Sequence, residues 1–357
     1  MAKGWYIGNE GNVARKVKKM YIGDESNKAR KVKKVYIGDS NDKARLAWSV
    51  GIKRLVCYGT FGYGGYSTDL LSWIVHDPDS QSRTVGTFGN DKFLKSGSSG
   101  YYALSVDGIS WTTYDFYSYP YALEFIDGKF IAYSNGKRTS TENTGSFYTS
   151  LDGLTWEEHK YSLITNYVIA VTPRRVIKAK GIYVMGSING CIWSSSDNTT
   201  WTLRTIPKST VDSSQCADIA YGNGRFIVVG QNGYTWYSDN GINWTEFLAF
   251  GYTSTDKNFT SICFGNGMFV ASTIDSKLYY STNGTSWSHS MTMVTGYGIN
   301  QIAFSGDKFY CVGRGGSSYY SIDGISWTKM LGLKTNTTSD NYVGIIYSED
   351  GGGRAYS

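Results

Sequence analysis

Hydrolysis of a glycan takes two carboxylates about 5 to 10 Å apart across the substrate. The 357-residue chain carries 29 Asp+Glu, but many carboxylates of its larger part lie in the repeated turns. Its three histidines, His76, His159 and His289, fall at unrelated places, and Arg174–Arg175 is the only arginine pair outside the basic N-terminal region. No triad or metal-ligand spacing emerges. The five cysteines, at 57, 191, 216, 263 and 311, are odd in number and lack CxxC spacing. Cys263 and Cys311 lie in apolar runs, where a thiol is expected to be a small buried hydrophobe. The residues therefore predict no catalytic site, no metal and no cofactor, with a glycosidase kept as an alternative.

Binding chemistry is better represented. Tyr114, Phe116, Tyr117, Tyr119 and Tyr121 fall within eight residues. Aromatic rings stack on sugar faces while neighbouring Asn, Ser and Asp bond hydroxyls, so this run is the candidate saccharide site. The competing reading is that alternate rings of the run pack between neighbouring sheets, and the sequence leaves both open.

The elements that must position these residues repeat. With 43 Gly, 30 Tyr, 15 Phe and 11 Trp but only 4 Pro, the composition is that of an all-β chain rich in turns. A pattern of Ser, two residues, Gly or a substitute, two residues, Trp recurs and ends at Trp73, Trp111, Trp156, Trp201, Trp244, Trp287 and Trp327. The intervals of 38, 45, 45, 43, 43 and 40 residues suit a four-stranded unit. In "CADIAYGNGRFIVVGQNGYTWYSDNGINWTEF" the strands read as "DIAY", "RFIVVG", "YTWYS" and a fourth carrying Trp244.

The expected fold is all-β: a seven-bladed β-propeller of four-stranded antiparallel blades over residues 51–357, preceded by a short β-repeat leader over 1–50. The first copy has room for three strands only, "RLVCYG", "GGYSTD" and "LLSWIV", and "NYVGIIYSEDGGG" near the C-terminus reads as one more. Pairing of that C-terminal strand with the N-terminal three closes the ring and removes open edges. Within a blade, one face carries the short turns. The other carries the long connections, at 113–122, 134–146, 157–167, 207–216 and 250–259, where recognition is expected.

In each recurring turn the Ser and Asp can bond backbone amides while the Trp covers them. The turn resembles the Asp box of sialidases and other propellers, Ser-x-Asp-x-Gly-x-Thr-Trp, but is one residue shorter between Asp107 and Gly108 and between Asp152 and Gly153. In that family the box is structural and lies away from the active site, so the resemblance implies a propeller and not hydrolysis.

The leader has a different period. "YIGNEGNVARKVKKM", "YIGDESNKARKVKKV" and "YIGDSNDKARLAW" align Tyr6, Tyr21 and Tyr36 every 15 residues, each unit reading as strand then turn. Residues 1–54 hold 14 Lys+Arg against 5 Asp+Glu, a net of +9, which leaves 21 against 24, a net of −3, for the rest. A unit this short and polar buries too little to fold alone, so it needs a partner: the same segment of another subunit, giving a homo-oligomer, or a different protein. Nucleic acid is not the expected partner, because Asp and Glu occupy the turns and no nucleic-acid motif is present.

These units resemble the N-terminal repeats of tail and minor structural proteins of phages and prophages of Gram-positive bacteria, including phage-tail-like bacteriocins. The likeness spans roughly residues 3–48 and rests on Tyr-Ile-Gly, Ala-Arg and Lys-Val-Lys-Lys at fixed spacing; the third unit departs, with "ARLAW" for "ARKVKK". It implies that the leader docks to a tail or baseplate protein and that the propeller is a receptor-binding adhesin for a bacterial surface polymer. A purely structural tail module and a glycan depolymerase are the alternatives. No apolar run approaches the roughly 20 residues of a membrane helix, and "MAKGWYIGNEGN" lacks a secretory apolar core. Synthesis in the cytoplasm, no membrane partner, and release within a virion or tail-like particle are therefore expected.

Overall fold

The computed structural model describes residues 53–60, 63–76, 82–97, 100–116, 119–138, 143–165, 170–205, 216–250, 258–293, 298–333 and 342–348, together with strand backbones at 5–7, 15–17, 21–23, 29–31, 34–38 and 44–49. The chain divides into two compact units, Met1–Gly51 and Ile52–Ser357.

In the first unit each 15-residue repeat is one antiparallel hairpin. Trp5–Ile7 pairs with Arg15–Val17, Tyr21–Gly23 with Ala29–Lys31, and Lys34–Gly38 with Ala44–Ser49. Tyr6, Tyr21 and Tyr36 stand opposite Lys16, Lys31 and Leu46, the same register position in every hairpin. Arg15–Val17, Ala29–Lys31 and Ala44–Ser49 are thus second strands of their repeats; the side chains of the three tyrosines lie outside the described residues.

The second unit is all-β, with a short 3-10 turn at Gln231–Gly233. Its first sheet joins the two ends of the unit: Tyr342–Ser348 pairs with Arg54–Gly59, followed by Gly64–Ser67 and Ile74–Val75. Four further sheets run in sequence order. They start with Val85–Gly89, Cys216–Gly222, Phe259–Gly265 and Ile299–Phe304 and end with Thr112–Asp115, Thr245–Leu248, Ser288–Thr292 and Thr328–Lys329. The expected strand plan holds, except that the Trp comes just before the fourth strand in most copies and within it only at Trp201, in Thr200–Thr205.

The remaining two four-stranded sets do not stay separate. Glu157–Ile164, the outer strand of the Trp156 copy, pairs in parallel with Thr200–Thr205, the outer strand of the next, giving one nine-stranded sheet. This corrects two of the expected long connections. Region 157–167 is mostly strand, because Tyr161 and Leu163 alternate with exposed neighbours and are buried. Region 134–146 is largely a hairpin extension, with Lys129–Arg138 against Asn143–Ser150. The outer strand thereby satisfies an edge that would otherwise present unpaired backbone groups.

The core lies between sheets. One cluster combines Ile177, Val184 and Ile192 with Ile219, Phe226 and Trp236 of the following sheet, and another combines Ala220 and Ile227 with Ile262 and Phe269. Neither face of a sheet can be covered by its own strands, so each packs on two neighbours. At the short turns, Asn223 donates its amide to Gly267 O and Thr282 O of the next sheet, both at 2.9 Å, and Asn90 does the same to Gly128 O and Leu151 O at 3.1 and 2.9 Å.

The recurring turn is a polar staple. Ser105 Oγ accepts Gly108 N–H at 2.8 Å, and Asp107 Oδ1 accepts Ile109 and Ser110 N–H at 2.8 Å each. The same bonds form around Ser67 and Asp69, Ser150 and Asp152, Ser195 and Asp197, and Ser321 and Asp323. Asn240 and Asn283 replace the Asp in two copies. Gly108, at φ +72°, occupies the left-handed region that the tight turn demands. The Trp closes the turn: the indole N–H of Trp244 donates to Gly241 O at 3.2 Å while its ring packs on Phe226.

Candidate functional site

The first strands of the sheets surround a channel. One cavity of ≈ 670 Å³ is walled at the short-turn end by Phe88, Phe125, Tyr221, Phe264, Phe304 and Tyr347. A second, also ≈ 670 Å³, opens at the long-connection end, and the two share Gly86, Glu124 and Arg175 in their walls. The aromatic collar of the first cavity is packing as well as lining: an added Cβ on Gly222 or Gly265 would fall 2.1 or 2.3 Å from the ring of Phe264 or Phe304.

A polar belt ties the middle of the channel. Arg175 Nη1 lies 3.0 Å from Glu124 Oε1, and its Nε lies 3.5 Å from Asp218 Oδ1; all three side chains are largely buried. Asp218 Oδ2 accepts Ser261 Oγ–H at 2.7 Å and Ile262 N–H at 3.1 Å, and Ile302 N–H donates onward to Ser261 Oγ at 3.2 Å. Gln301 Oε1 in turn accepts Ile345 N–H at 2.7 Å. Each step reaches the next inner strand, so the belt staples successive inner strands together.

The inner strands share a second device. Pairing slips by one residue between Pro173 and Arg175, Cys216 and Asp218, Phe259 and Ser261, Ile299 and Gln301, and Tyr342 and Gly344. The extra residues of these bulges, Arg174, Ala217, Thr260, Asn300 and Val343, all line the second cavity. A bulge redirects a side chain without breaking the strand. Neighbouring positions on the scaffold thereby hold widely different residue types on a constant backbone.

The aromatic run divides sharply. Phe116 is buried, packed edge-on to Tyr148 and Trp156 at 5.2 and 5.1 Å, and Tyr114 stacks on Tyr102 at 5.3 Å. Tyr119 and Tyr121, by contrast, are 54% and 39% exposed and line the second cavity on either side of the buried Pro120. Tyr117 lies outside the described residues. The packing alternative therefore holds for the first two rings, and the other two stand at the channel mouth. Sequence reading missed Arg174 as a further residue lining this cavity and the Glu124–Arg175–Asp218 belt. The Arg pair was visible, but the bulge that brings it to the channel has no sequence mark.

Of the repeat tryptophans Trp73, Trp111, Trp156, Trp201, Trp244, Trp287 and Trp327, three, Trp201, Trp244 and Trp327, donate their indole N–H back to a carbonyl of their own turn. Trp201 is fully buried and donates to Asn198 O at 3.2 Å, and Trp73 donates to Ser318 Oγ at 2.7 Å. The five cysteines are buried and none is joined in a disulfide, and burial pushes the Cys191 thiol up to about 12. Among the described residues no three His, Cys, Asp or Glu side chains are placed to hold a metal ion.

Neither a family model nor a curated protein matches the chain. Solved structures do resemble it. Selenomethionine-substituted virginiamycin B lyase from Staphylococcus aureus is 15% identical with a TM-score of 0.56, over 72% of this chain and 86% of the lyase. The WD40 β-propeller domain of Doa1 is 12% identical with a TM-score of 0.52, over 78% and 88%. YCF48 bound to D1 peptide is 11% identical with a TM-score of 0.50, over 69% and 81%. At such identities the likeness concerns the fold alone: sheets packed around a channel make the larger unit a β-propeller.

Proposed function

We propose that the propeller has seven blades, the nine-stranded sheet counting as two, and that it is the receptor-binding part of a phage tail or phage-tail-like particle. Its leader docks to a tail or baseplate protein, and its channel mouth binds a saccharide of the bacterial surface without turning it over. The observation that carries the binding site is the pair of exposed rings, Tyr119 and Tyr121, held beside a concave mouth by Pro120 and by the 2.9 Å bond from Tyr121 N–H to Tyr133 O. Exposed aromatic rings over a cavity with polar walls suit a sugar face. Arg54 and Ser348, where the chain enters and leaves the described body, pair at the short-turn end of their sheet, so the mouth lies at the other end.

The test is saturable binding of the full-length protein to intact host cells and purified wall polysaccharide, with reducing ends assayed in the same tubes. Binding without new reducing ends, lost in Tyr119→Ala/Tyr121→Ala, is expected. No binding by the wild type overturns the reading and leaves a structural module.

A hydrolase is the second reading, favoured by Glu124 and Asp218 flanking one guanidinium in the channel wall. Against it, Asp218 is saturated by Arg175, Ser261 and two backbone amides, the geometry of a brace. New reducing ends that disappear in Glu124→Gln would establish the hydrolase.

A further inference from the structure

We infer that the channel mouth recognises an anionic group on its saccharide, a carboxylate or a phosphate, and that Arg174 is the residue that reads it. This rests on the receptor-binding reading above and specifies its ligand.

Four charged residues line the second cavity: Glu124, Arg174, Arg175 and Asp218. The two carboxylates are both engaged by Arg175, at 3.0 and 3.5 Å. Arg174 is different. It is exposed, and among the described residues its guanidinium makes one hydrogen bond, Nε–H to Ala217 O at 3.4 Å, and no ion pair with a carboxylate. Its counterparts at the bulges of the following strands, Ala217, Thr260, Asn300 and Val343, carry no charge. A cation is thus presented at the rim of a concave site by a bulge that fixes its backbone, with two exposed tyrosine rings lining the same cavity.

A guanidinium is a planar fork of donors that matches a carboxylate or phosphate with two parallel hydrogen bonds. The two rings of the same cavity supply the stacking surface for the sugar that bears the anion. A neutral sugar would use the rings and leave the guanidinium in water. An anionic sugar uses both, and the charge-assisted bonds add about tenfold or more in affinity.

Titration of the full-length protein with four probes tests this: a trigalacturonate and its neutral counterpart galactotriose, and a glycerol-phosphate trimer and glycerol. The expected result is that one anionic probe binds at least about tenfold tighter than its neutral counterpart, with affinity falling as salt rises. Which anionic probe binds distinguishes a uronate from a phosphodiester. Arg174→Gln should abolish the preference at an unchanged melting temperature, and Arg174→Lys should restore part of it, since the charge returns without the fork. Equal affinity for charged and neutral probes overturns the inference, as does binding of neither anionic probe or a preference that survives in Arg174→Gln. If the inference fails while wild-type protein still binds host cells through Tyr119 and Tyr121, the receptor reading stands. Failure of cell binding itself removes that reading instead.

Discussion

Arg54 N–H donates to Ser348 Oγ at 2.9 Å, a bond between residues 294 apart in sequence, and their strands run antiparallel with Leu55 opposite Tyr347 and Cys57 opposite Ile345. The first sheet is therefore completed only when the end of the chain returns to its beginning. Ile345 and Ile346 are buried on opposite faces of that strand, one among Leu55, Tyr310 and Val312 and the other with Tyr58 and Phe88.

Truncation after residue 341 should consequently unfold far more than one strand. It exposes the edge of Arg54–Gly59 and two core clusters at once, and open apolar edges associate. Size-exclusion chromatography should show aggregates, with loss of the cooperative melt. A truncated protein that stays monomeric and melts within a few degrees of the parent would mean the ring does not depend on this closure.

The staples predict a particular acid response. The N–H groups of Leu71 and Thr200 hold the Asp69 and Asp197 carboxyls far below the usual carboxylate range, and those of Thr155 and Ser326 lower Asp152 and Asp323. For Asp107 burial pushes upward, but the amides of Ile109 and Ser110 together with the Ser105 and Ser110 hydroxyls more than offset it. A carboxyl depressed by folding stabilises above its unfolded pKa of about 3.9 and loses that contribution as pH falls through the folded value. The melting temperature should hardly change from pH 7 to about 5 and should drop below about pH 4. Replacing Asp152 by Asn, the residue two other copies already use at 240 and 283, should flatten that drop in calorimetry between pH 2 and 5. An unchanged acid slope in Asp152→Asn would show that the slope comes from other groups.

Asn198 breaks the Gly pattern of the turn for a reason visible only in three dimensions. Its φ is +66°, where Gly is the unstrained choice, yet its Oδ1 accepts the hydroxyl of fully buried Tyr133 at 2.7 Å. Asn198→Gly restores the repeat consensus but strands a buried donor, at a cost of about 1 to 3 kcal/mol. Chemical denaturation should show that loss, and Tyr133→Phe in the same chain should recover most of it. A stabilised Asn198→Gly single variant would contradict the assignment.

Much of this architecture was legible because a repeat declares its own period. Trp spacing, turn chemistry and the orphan strand at 342–348 led to four-stranded sheets and to the closure without reference to any contact. What stayed hidden was geometry that repeats in space and not in residue type. The bulges place Arg174, Ala217, Thr260, Asn300 and Val343 at one mouth, and five unlike residues give no pattern to read. The outer strand Glu157–Ile164 reads as a loop in sequence because its polar residues mask the alternation of Tyr161 and Leu163, and its parallel partner lies in the next repeat. The aromatic run was ambiguous because burial, not ring count, separates Phe116 from Tyr119.

That separation yields the most discriminating substitution series. Phe116 is 7% exposed and sits against Tyr102, Tyr148 and Trp156, so Phe116→Ala opens a cavity between two sheets and should destabilise by about 3 to 5 kcal/mol. Tyr119 is 54% exposed, and removing its ring leaves no void. Tyr119→Ala should move stability by no more than about 0.5 kcal/mol. Binding should respond in the opposite order: Tyr119→Ala and Tyr121→Ala weaken attachment to host cells, while Phe116→Leu, which keeps the core filled, leaves it intact. Paired melting curves and cell-binding isotherms on these variants read both effects. If Tyr119→Ala binds as well as the parent while Phe116→Leu does not, the recognition surface lies along the sheet junction and not at the channel mouth.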